Sequence, residues 1–460
     1  MLYSSVIRIF ATTLEVDYDN PWQSDTPSSG TGSGVVVGSG KILTGAHVVA
    51  NSTFLQVQKA SDPNKFTAQI LSICHDSDLA ILEVKEPNFM EGICIAEIGD
   101  LPSLQDRVTV VGYPIGGREI SVTEGVVSRI EVQRYSHSRR HLLAVTVDAA
   151  INEGNSGGPV FKEDKVIGIA FQTLKAAENI GELVPSNLIH RFIKKSQDVS
   201  IVKVPHLGIR TQNMENPMLR SYKKLSSTDS GILLTTVQYG GSAWKTLMPE
   251  DVLVEIDGYK IANNGTIKYR DQYRTMYEVV MGDHFVDDEI SLKVIRQGNY
   301  LDVNVVLKEC APLIPFWSYD NNPTYFIYGG LVFQKLCLDY IATWNKWWDK
   351  APVEFLDLFY SGVRTEERQE VVILAQVLSD EVNVGYQNIS NEVVAFVNDT
   401  RPKNMIDFVT IMTNAKDTIT VKTSGGRIII CDAKQVSQAN KRIVQNYHIN
   451  GDRSLDLIDI

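Results

Sequence analysis

Short β-rich runs, each closed by a turn, fill the first two hundred residues and leave no room there for a long helix. Gly34–Gly38, Lys41–Thr44, Leu79–Val84, Val108–Gly112 and Lys165–Ile169 are bounded by glycines and polar residues. No helical period appears before Ser186–Ser196. This pattern favours an all-β barrel or sandwich. The polar, β-branched stretch Asp198–Pro205 then reads as a linker. Beyond it the texture becomes mixed strand and helix. Tyr273, Met276, Tyr277 and Val280 recur at i, i+3, i+4 and i+7, which predicts a helix whose stripe serves a core or a ligand groove equally well. Ile290, Leu292 and Val294, and then Leu301, Val303 and Val305, alternate as a hairpin around Gln297-Gly298-Asn299. A second break falls at Ala311–Pro315. After it the plan repeats, with Val393–Asp399 as the counterpart of Val252–Gly258 and a hairpin turning at Ser424-Gly425-Gly426. The expected units are 1–200, 205–310 and 313–460. In the last, Leu336, Tyr340, Trp344, Trp347 and Trp348 predict an aromatic helix face, better read as buried against a sheet than as a ligand site.

Composition narrows the chemistry. The 460 residues carry 44 basic and 55 acidic side chains, a net charge of −11. That balance argues against nucleic acid as a partner, because phosphate binding needs clustered Lys and Arg. No apolar run approaches the roughly 18 residues that span a bilayer. The N-terminal segment lacks a basic region and a long apolar core, so it does not read as a secretory signal: either the protein stays inside, the favoured expectation, or the chain is a mature or trimmed form. Cys74, Cys94, Cys310, Cys337 and Cys431 are scattered, with no paired spacing, and read as reduced thiols. Neither a metal nor another cofactor is expected. The run Gly30–Gly34 is not followed by the Gly-Lys-Ser/Thr of a phosphate loop and fits a strand entry better. Arg134, Arg139 and Arg140 read as a solvated loop, with a regulatory role as the alternative.

Gly154-Asn155-Ser156-Gly157-Gly158-Pro159 is the most informative segment. A nucleophilic serine needs a cramped turn with backbone N–H groups beside it, and glycines permit the required backbone angles. A glycine-rich turn with an incidental serine is the bland alternative. Two further segments weigh against it. Leu43-Thr44-Gly45-Ala46-His47 ends a β-rich run in histidine, and Asp76-Ser77-Asp78 precedes Leu79–Leu82. A serine hydroxyl needs an imidazole to take its proton, and the imidazole needs a carboxylate to fix its tautomer. The order His47, Asp78, Ser156 is the chymotrypsin order.

These segments resemble the HtrA/Deg serine proteases. The likeness includes Gly32–Val37, Val147–Asn152, Gly168–Gln172 and Val184-Pro185, nearly all of residues 1–195. It implies a mainly β fold: a chymotrypsin-like double β-barrel domain followed by two α/β PDZ-like domains. It also implies His47 as general base, Asp78 as its orienter in preference to Asp76, and Ser156 as nucleophile. The N–H groups of Gly154 and Ser156 would form the oxyanion hole. The other histidines (His75, His137, His141, His190, His206, His284, His448) are expected at surface or structural positions. Gly45 and Glu153 replace a common Asn and a common Pro of the family. Ala150, six residues before the nucleophile, would floor an uncharged S1 pocket, so cleavage after Val, Ala or Leu is expected.

Leu207-Gly208-Ile209 resembles a PDZ carboxylate loop, where backbone N–H groups capture a peptide C-terminus. Glu250 stands where the family usually has Gly. Tyr328–Phe333, Val377–Tyr386 and Asn20–Gln23 resemble plant-type Deg proteases. The likeness implies an ATP-independent serine endopeptidase acting on unfolded or damaged proteins, assembled as a trimer or hexamer, with Tyr18 and Trp22 at the subunit contact. A holdase or peptide-binding scaffold is the alternative function.

Overall fold

The computed structural model describes residues 3–60, 62–114, 119–149, 151, 154–173, 180–309 and 311–460. Two compact units emerge. One comprises Met1–Thr13 and Pro27–Cys310, the other Leu14–Thr26 and Ala311–Ile460.

The first unit opens with a closed barrel of β1 (Val6–Thr13), β2 (Ser28–Gly38), β3 (Lys41–Thr44), β4 (Ser52–Lys59), β5 (Lys65–Cys74) and β6 (Leu79–Glu83), in the order β1-β2-β3-β6-β5-β4. Closure removes the exposed strand edges. Ile7, Ile9, Val36, Ile42, Val57, Leu82 and Phe89 fill its core. After the two-residue β7 (Glu97–Ile98) comes a second sheet of β8 (Arg107–Gly112), β9 (Ser121–Arg134), β10 (His141–Val147), β11 (Pro159–Lys162), β12 (Lys165–Thr173) and β13 (Gly181–Pro185). It runs β11-β8-β9-β10-β13-β12 and closes through the β11–β12 pair, with β7 parallel to β12. The fold is therefore mainly β, with the double barrel read from the sequence. The helix Ser186–Lys195 follows Pro185 and buries Leu188, Ile189 and Phe192.

Asp198–Pro205 is no slack linker. Val202 N–H donates to Ile73 O at 2.8 Å and Ile73 N–H to Ser200 O at 2.9 Å, so the segment lies along β5. The next sheet, β14 (Ile209–Asn213), β15 (Ile232–Val237), β16 (Val252–Ile256), β17 (Tyr259–Lys260), β20 (Glu289–Arg296) and β21 (Asn299–Val306), follows the order β14-β15-β16-β20-β21 with β17 on β16. Gln297 and Gly298, at φ 52° and 88°, make the two-residue turn between β20 and β21. Val110, Val145 and Leu183 of the second barrel share one core with Ile232, Leu234 and Val294 of this sheet. No compact division falls at residues 200–205 for that reason. Glu250 sits at φ 75°, which accounts physically for a glycine being usual there.

The helix expected over Tyr273–Val280 is absent. The chain instead forms β18 (Thr266–Tyr269) and β19 (Tyr273–Met276), then a 3₁₀ segment Tyr277–Asp283. Arg270 and Asp271 turn at φ 49° and 58°. Ile267, Tyr269 and Thr275 are buried while Lys268 and Arg274 are exposed, a two-residue period that overrides the helical spacing. Tertiary bonds fix the choice: Val132 N–H donates to Thr275 Oγ1 at 2.7 Å, and Tyr273 Oη–H to Pro102 O at 3.0 Å.

The second unit is a six-stranded antiparallel meander, β22 (Tyr325–Tyr328), β23 (Leu331–Lys335), β24 (Val372–Val377), β25 (Glu392–Val397), β26 (Thr418–Thr423) and β27 (Ile428–Asp432). The helix Met405–Asn414 and the β26–β27 hairpin give the strand–helix–hairpin plan read from the repeat, and the sequence reading missed the helix Ala433–Asn446. The aromatic stripe is not one helix. Short turns at Leu338–Ile341 and Trp347–Lys350 are separated, with Lys346 at φ 54°. Leu336 and Tyr340 are buried, but Trp348 is 60% exposed. Tyr18 packs with Leu336, Leu338 and Tyr340, and Trp22 meets Tyr325 edge-on at 5.9 Å. Both aromatics expected at a subunit contact thus have partners within this unit.

Candidate active site

His47 lies just beyond β3, on the single helical turn Ala46–Val49. Its ring lies against Gly45: a Cβ there would stand 2.5 Å from Cε1 and 2.7 Å from Nδ1. The glycine that departs from the family's usual Asn therefore makes room for the imidazole. Asp78 ends the turn between β5 and β6 at φ 55°, a conformation Asp tolerates better than most residues. It is 1% exposed.

The two residues are joined twice. His47 Nδ1–H donates to Asp78 Oδ2 at 2.7 Å, and the His47 backbone N–H donates to Oδ1 at 2.8 Å. A carboxylate accepts and does not donate, so Nδ1 carries the proton and Nε2 keeps its lone pair. Burial opposes charge on the imidazole, but the Asp78 carboxylate outweighs it and raises the His47 pKa. Burial likewise penalises the Asp78 carboxylate, yet His47, His137 and the hydrogen bonds from His47 hold its pKa low. Asp76 faces elsewhere: its Oδ2 accepts the Val204 N–H at 2.9 Å.

Ser156 sits on a turn whose glycines 154 and 157 have φ of 97° and 77°. A Cβ at Gly157 would stand 2.3 Å from Thr44 Oγ1 and 2.9 Å from Val48 Cγ2, which places the serine's neighbour against the neighbour of His47. Ser33, fully buried, ties the turn down. Its Oγ–H donates to Gly154 O at 2.8 Å and its oxygen accepts Tyr113 N–H at 2.8 Å. Its backbone N–H donates to Ser156 O at 3.0 Å, while Thr44 Oγ1–H donates to its carbonyl at 2.7 Å. Gly157 N–H donates to Ala170 O at 2.8 Å, bringing in β12. His47 Nε2 is buried with no hydrogen-bond partner among the described residues. Catalytic hydrogen bonds are often long before substrate binds. Ala150 and Glu153 lie outside the described residues.

The sequence reading missed Ser33 and Thr44, whose roles only the folded register reveals. It also set His75 and His137 aside as surface or structural residues. His137 is buried, accepts or donates a 2.9 Å hydrogen bond with His75 Nδ1 through Nε2, and its ring lies 6.3 Å from that of His47. Arg140 is not a solvated loop residue. Its guanidinium donates to Val204 O at 3.1 Å and Pro205 O at 2.7 Å.

In the loop Leu207-Gly208-Ile209, Gly208 has φ 73° and its N–H donates to His206 Nδ1 at 2.7 Å. Burial, then the nearby Arg140 charge, pushes the His206 pKa down to about 3, so the ring is a neutral acceptor. Leu207 is 2% exposed, and Ile209 begins β14 opposite Val237. No helix among the described residues is long and apolar enough to cross a membrane.

Comparison with known proteins adds an independent line. A family model described as a trypsin-like peptidase domain matches residues 32–169, and one described as a PDZ domain matches residues 314–456. Protease Do-like 2, chloroplastic, of Arabidopsis thaliana is 34% identical over 99% of this chain and 76% of its own. Protease Do-like 4, mitochondrial, of the same plant is 32% identical over 97% of this chain and 84% of its own. Among solved structures, the HtrA-type protease AlgW with tripeptide superposes with a TM-score of 0.54 at 22% identity, covering 67% of this chain and 95% of that one.

Two predictions follow from the geometry. Replacing Ser33 by Ala strands a buried N–H and a buried carbonyl, at a cost of about 1–3 kcal/mol. Peptidase assays with thermal unfolding should show kcat/KM falling well below wild type while the fold persists; unchanged kcat/KM would refute the anchoring role. For pH, if His47 is the base, as the resemblance implies, it acts when neutral, and the rate should fall as pH drops through its raised pKa. Asp78→Asn removes the group that raises it and leaves burial, which lowers it. The acid limb of kcat/KM should move to lower pH, with the plateau down by about 10⁴-fold. A limb that stays in place would contradict this pairing.

Proposed function

Because this chain belongs to the Do-like (HtrA/Deg) family of serine proteases, we propose that its peptide-bond hydrolysis runs through His47, Asp78 and Ser156. The protein is a serine-type endopeptidase with PDZ architecture. The two-point grip of Asp78 on His47 is the observation that carries the residue assignment.

Ser156 Oγ attacks the scissile carbonyl carbon as its proton passes to His47 Nε2. The carbonyl oxygen becomes an oxyanion that accepts from the Gly154 and Ser156 N–H groups. Collapse breaks the C–N bond, and the leaving amine takes the proton from His47. Water then attacks the acyl-enzyme, gives its proton to His47, and releases the acid as that proton returns to Ser156. Asp78 stabilises the imidazolium throughout without being protonated. The Ser33-anchored turn supports the reading, since it fixes the backbone of both proposed oxyanion donors. Closing the gap between Nε2 and the Ser156 hydroxyl is assigned to substrate binding.

Unfolded or damaged proteins are the proposed substrates. Peptide C-termini are the proposed ligands of Leu207-Gly208-Ile209, with the Gly208 N–H released from His206 on capture. Assembly as a homo-oligomer, trimer or hexamer, and an intracellular compartment complete the proposal; the plant relatives above are named for the chloroplast and the mitochondrion. An uncharged S1 floor at Ala150 favours Val, Ala or Leu at P1.

A fluorophosphonate should label the wild-type protein and leave Ser156→Ala unlabelled. Equal labelling of the two would remove Ser156 from its role, and no labelling of the wild type would favour the scaffold alternative. Mass-spectrometric mapping of products from an unfolded protein should place Val, Ala or Leu before most cuts. A majority of Arg or Lys there would contradict the S1 assignment.

A further inference from the structure

The turn His75–Asp78 and the hairpin loop joining β9 to β10 are held face to face. Ser138 Oγ–H donates to Asp76 O at 2.8 Å, and the Arg140 guanidinium lies 3.4 Å from Asp76 Oδ1. Between these contacts, His75 Nδ1 and His137 Nε2 share a hydrogen bond of 2.9 Å. The His137 ring stands at an interplanar angle of 61° to that of His47. Three imidazoles thus run in series toward the general base, and the reaction scheme uses only the last.

A hydrogen bond between two imidazole nitrogens has a definite protonation logic. One nitrogen donates and the other accepts. The pair takes one extra proton on a remote nitrogen without breaking the bond. A second would set N–H against N–H and part the rings. The pair can therefore hold one extra proton, on one of its two remote nitrogens. We propose that the His75–His137 pair is a positioning element for the general base: one extra proton on the pair, beyond the one in its hydrogen bond, places a positive charge beside Asp78 and His47, and so keeps His47 neutral and competent at lower pH than Asp78 alone would allow. The inference rests on His47 being the base.

The surroundings fit a single charge. Asp78 on the β5–β6 turn interacts electrostatically with His137, and Asp76, next to His75 in the chain, is paired with Arg140 of the hairpin loop. Asp76 and Arg140 are committed to each other and to the backbone of Val204 and Pro205, while Asp78 interacts with both His47 and His137. His137 is among the groups that hold Asp78 ionised.

The test is the pH dependence of fluorophosphonate labelling at Ser156 in the full chain, which reports activation of the nucleophile independently of peptide binding. His137→Gln keeps a hydrogen-bonding side chain but holds no proton. Its acid limb should rise by about one pH unit, the scale of one charge a few ångströms away in a partly solvated site. His75→Gln should give the same shift, since the proton belongs to the pair. His137→Arg, with a permanent charge, should move the limb the opposite way. A structural role alone would change rates without these opposed shifts. Limbs that coincide with wild type in both Gln variants would overturn the inference and leave His47 as base. A wild-type rate with no acid limb would overturn the base assignment itself, and the pair's role with it.

Discussion

A buried carboxylate held against the Nδ1 edge of an imidazole organises this protease domain. Asp78 grips His47 at its backbone N–H and at Nδ1. One contact alone would orient the ring loosely. Two contacts to the two oxygens of one carboxylate fix where the residue sits and which nitrogen is protonated. The cost of burying Asp78 is offset by His47 and His137 and by the two hydrogen bonds from His47, so the contact that orients the proposed base also stabilises the ion formed when it takes a proton. Both barrels serve this arrangement. The first supplies β3 and the β5–β6 turn that carry the pair, and the second supplies the turn that carries Ser156.

The serine turn depends on contacts that cross between the barrels. Ser33 belongs to β2 of the first barrel, yet its hydroxyl and backbone hold Gly154, Ser156 and Tyr113 of the second. Gly157 is required by space as well as by φ, since any side chain would strike Thr44 and Ser33. The catalytic geometry is therefore a property of the inter-barrel seam. The shared core of the second barrel and the following sheet extends that rigidity to Leu207-Gly208-Ile209, where His206 and Arg140 knit loop, linker and barrel together.

Much of this was legible in the chain. The barrels announced themselves because their strands are short β-rich runs bounded by glycines and polar residues, and the triad because each member lies in a distinctive local context. What escaped notice was set by tertiary pairing. Tyr273, Met276, Tyr277 and Val280 have helical spacing, but left-handed turns at Arg270 and Asp271 and the bond from Val132 to Thr275 made a hairpin instead. Leu336 to Trp348 has the apolar stripe of a helix, but Lys346 interrupts it in the left-handed region. His137 lies 62 residues from His75, and no local pattern links them. Ser33 was visible only as one residue of a glycine-rich strand entry, since its partners at 113 and 154 become neighbours only when both barrels close.

The central claim concerns one proton: it resides on Nδ1 of His47, leaving Nε2 as the open acceptor. Nitrogen-15 NMR of histidine-labelled protein, with His47 assigned by substitution, reads this directly. Above the pKa of the ring, the account predicts a protonated, pyrrole-type Nδ1 coupled to a far-downfield proton, and an unprotonated, pyridine-type Nε2. A pyridine-type Nδ1 with the proton on Nε2 would show that Asp78 does not hold the imidazole as described, and the proton-transfer scheme built on it would be wrong.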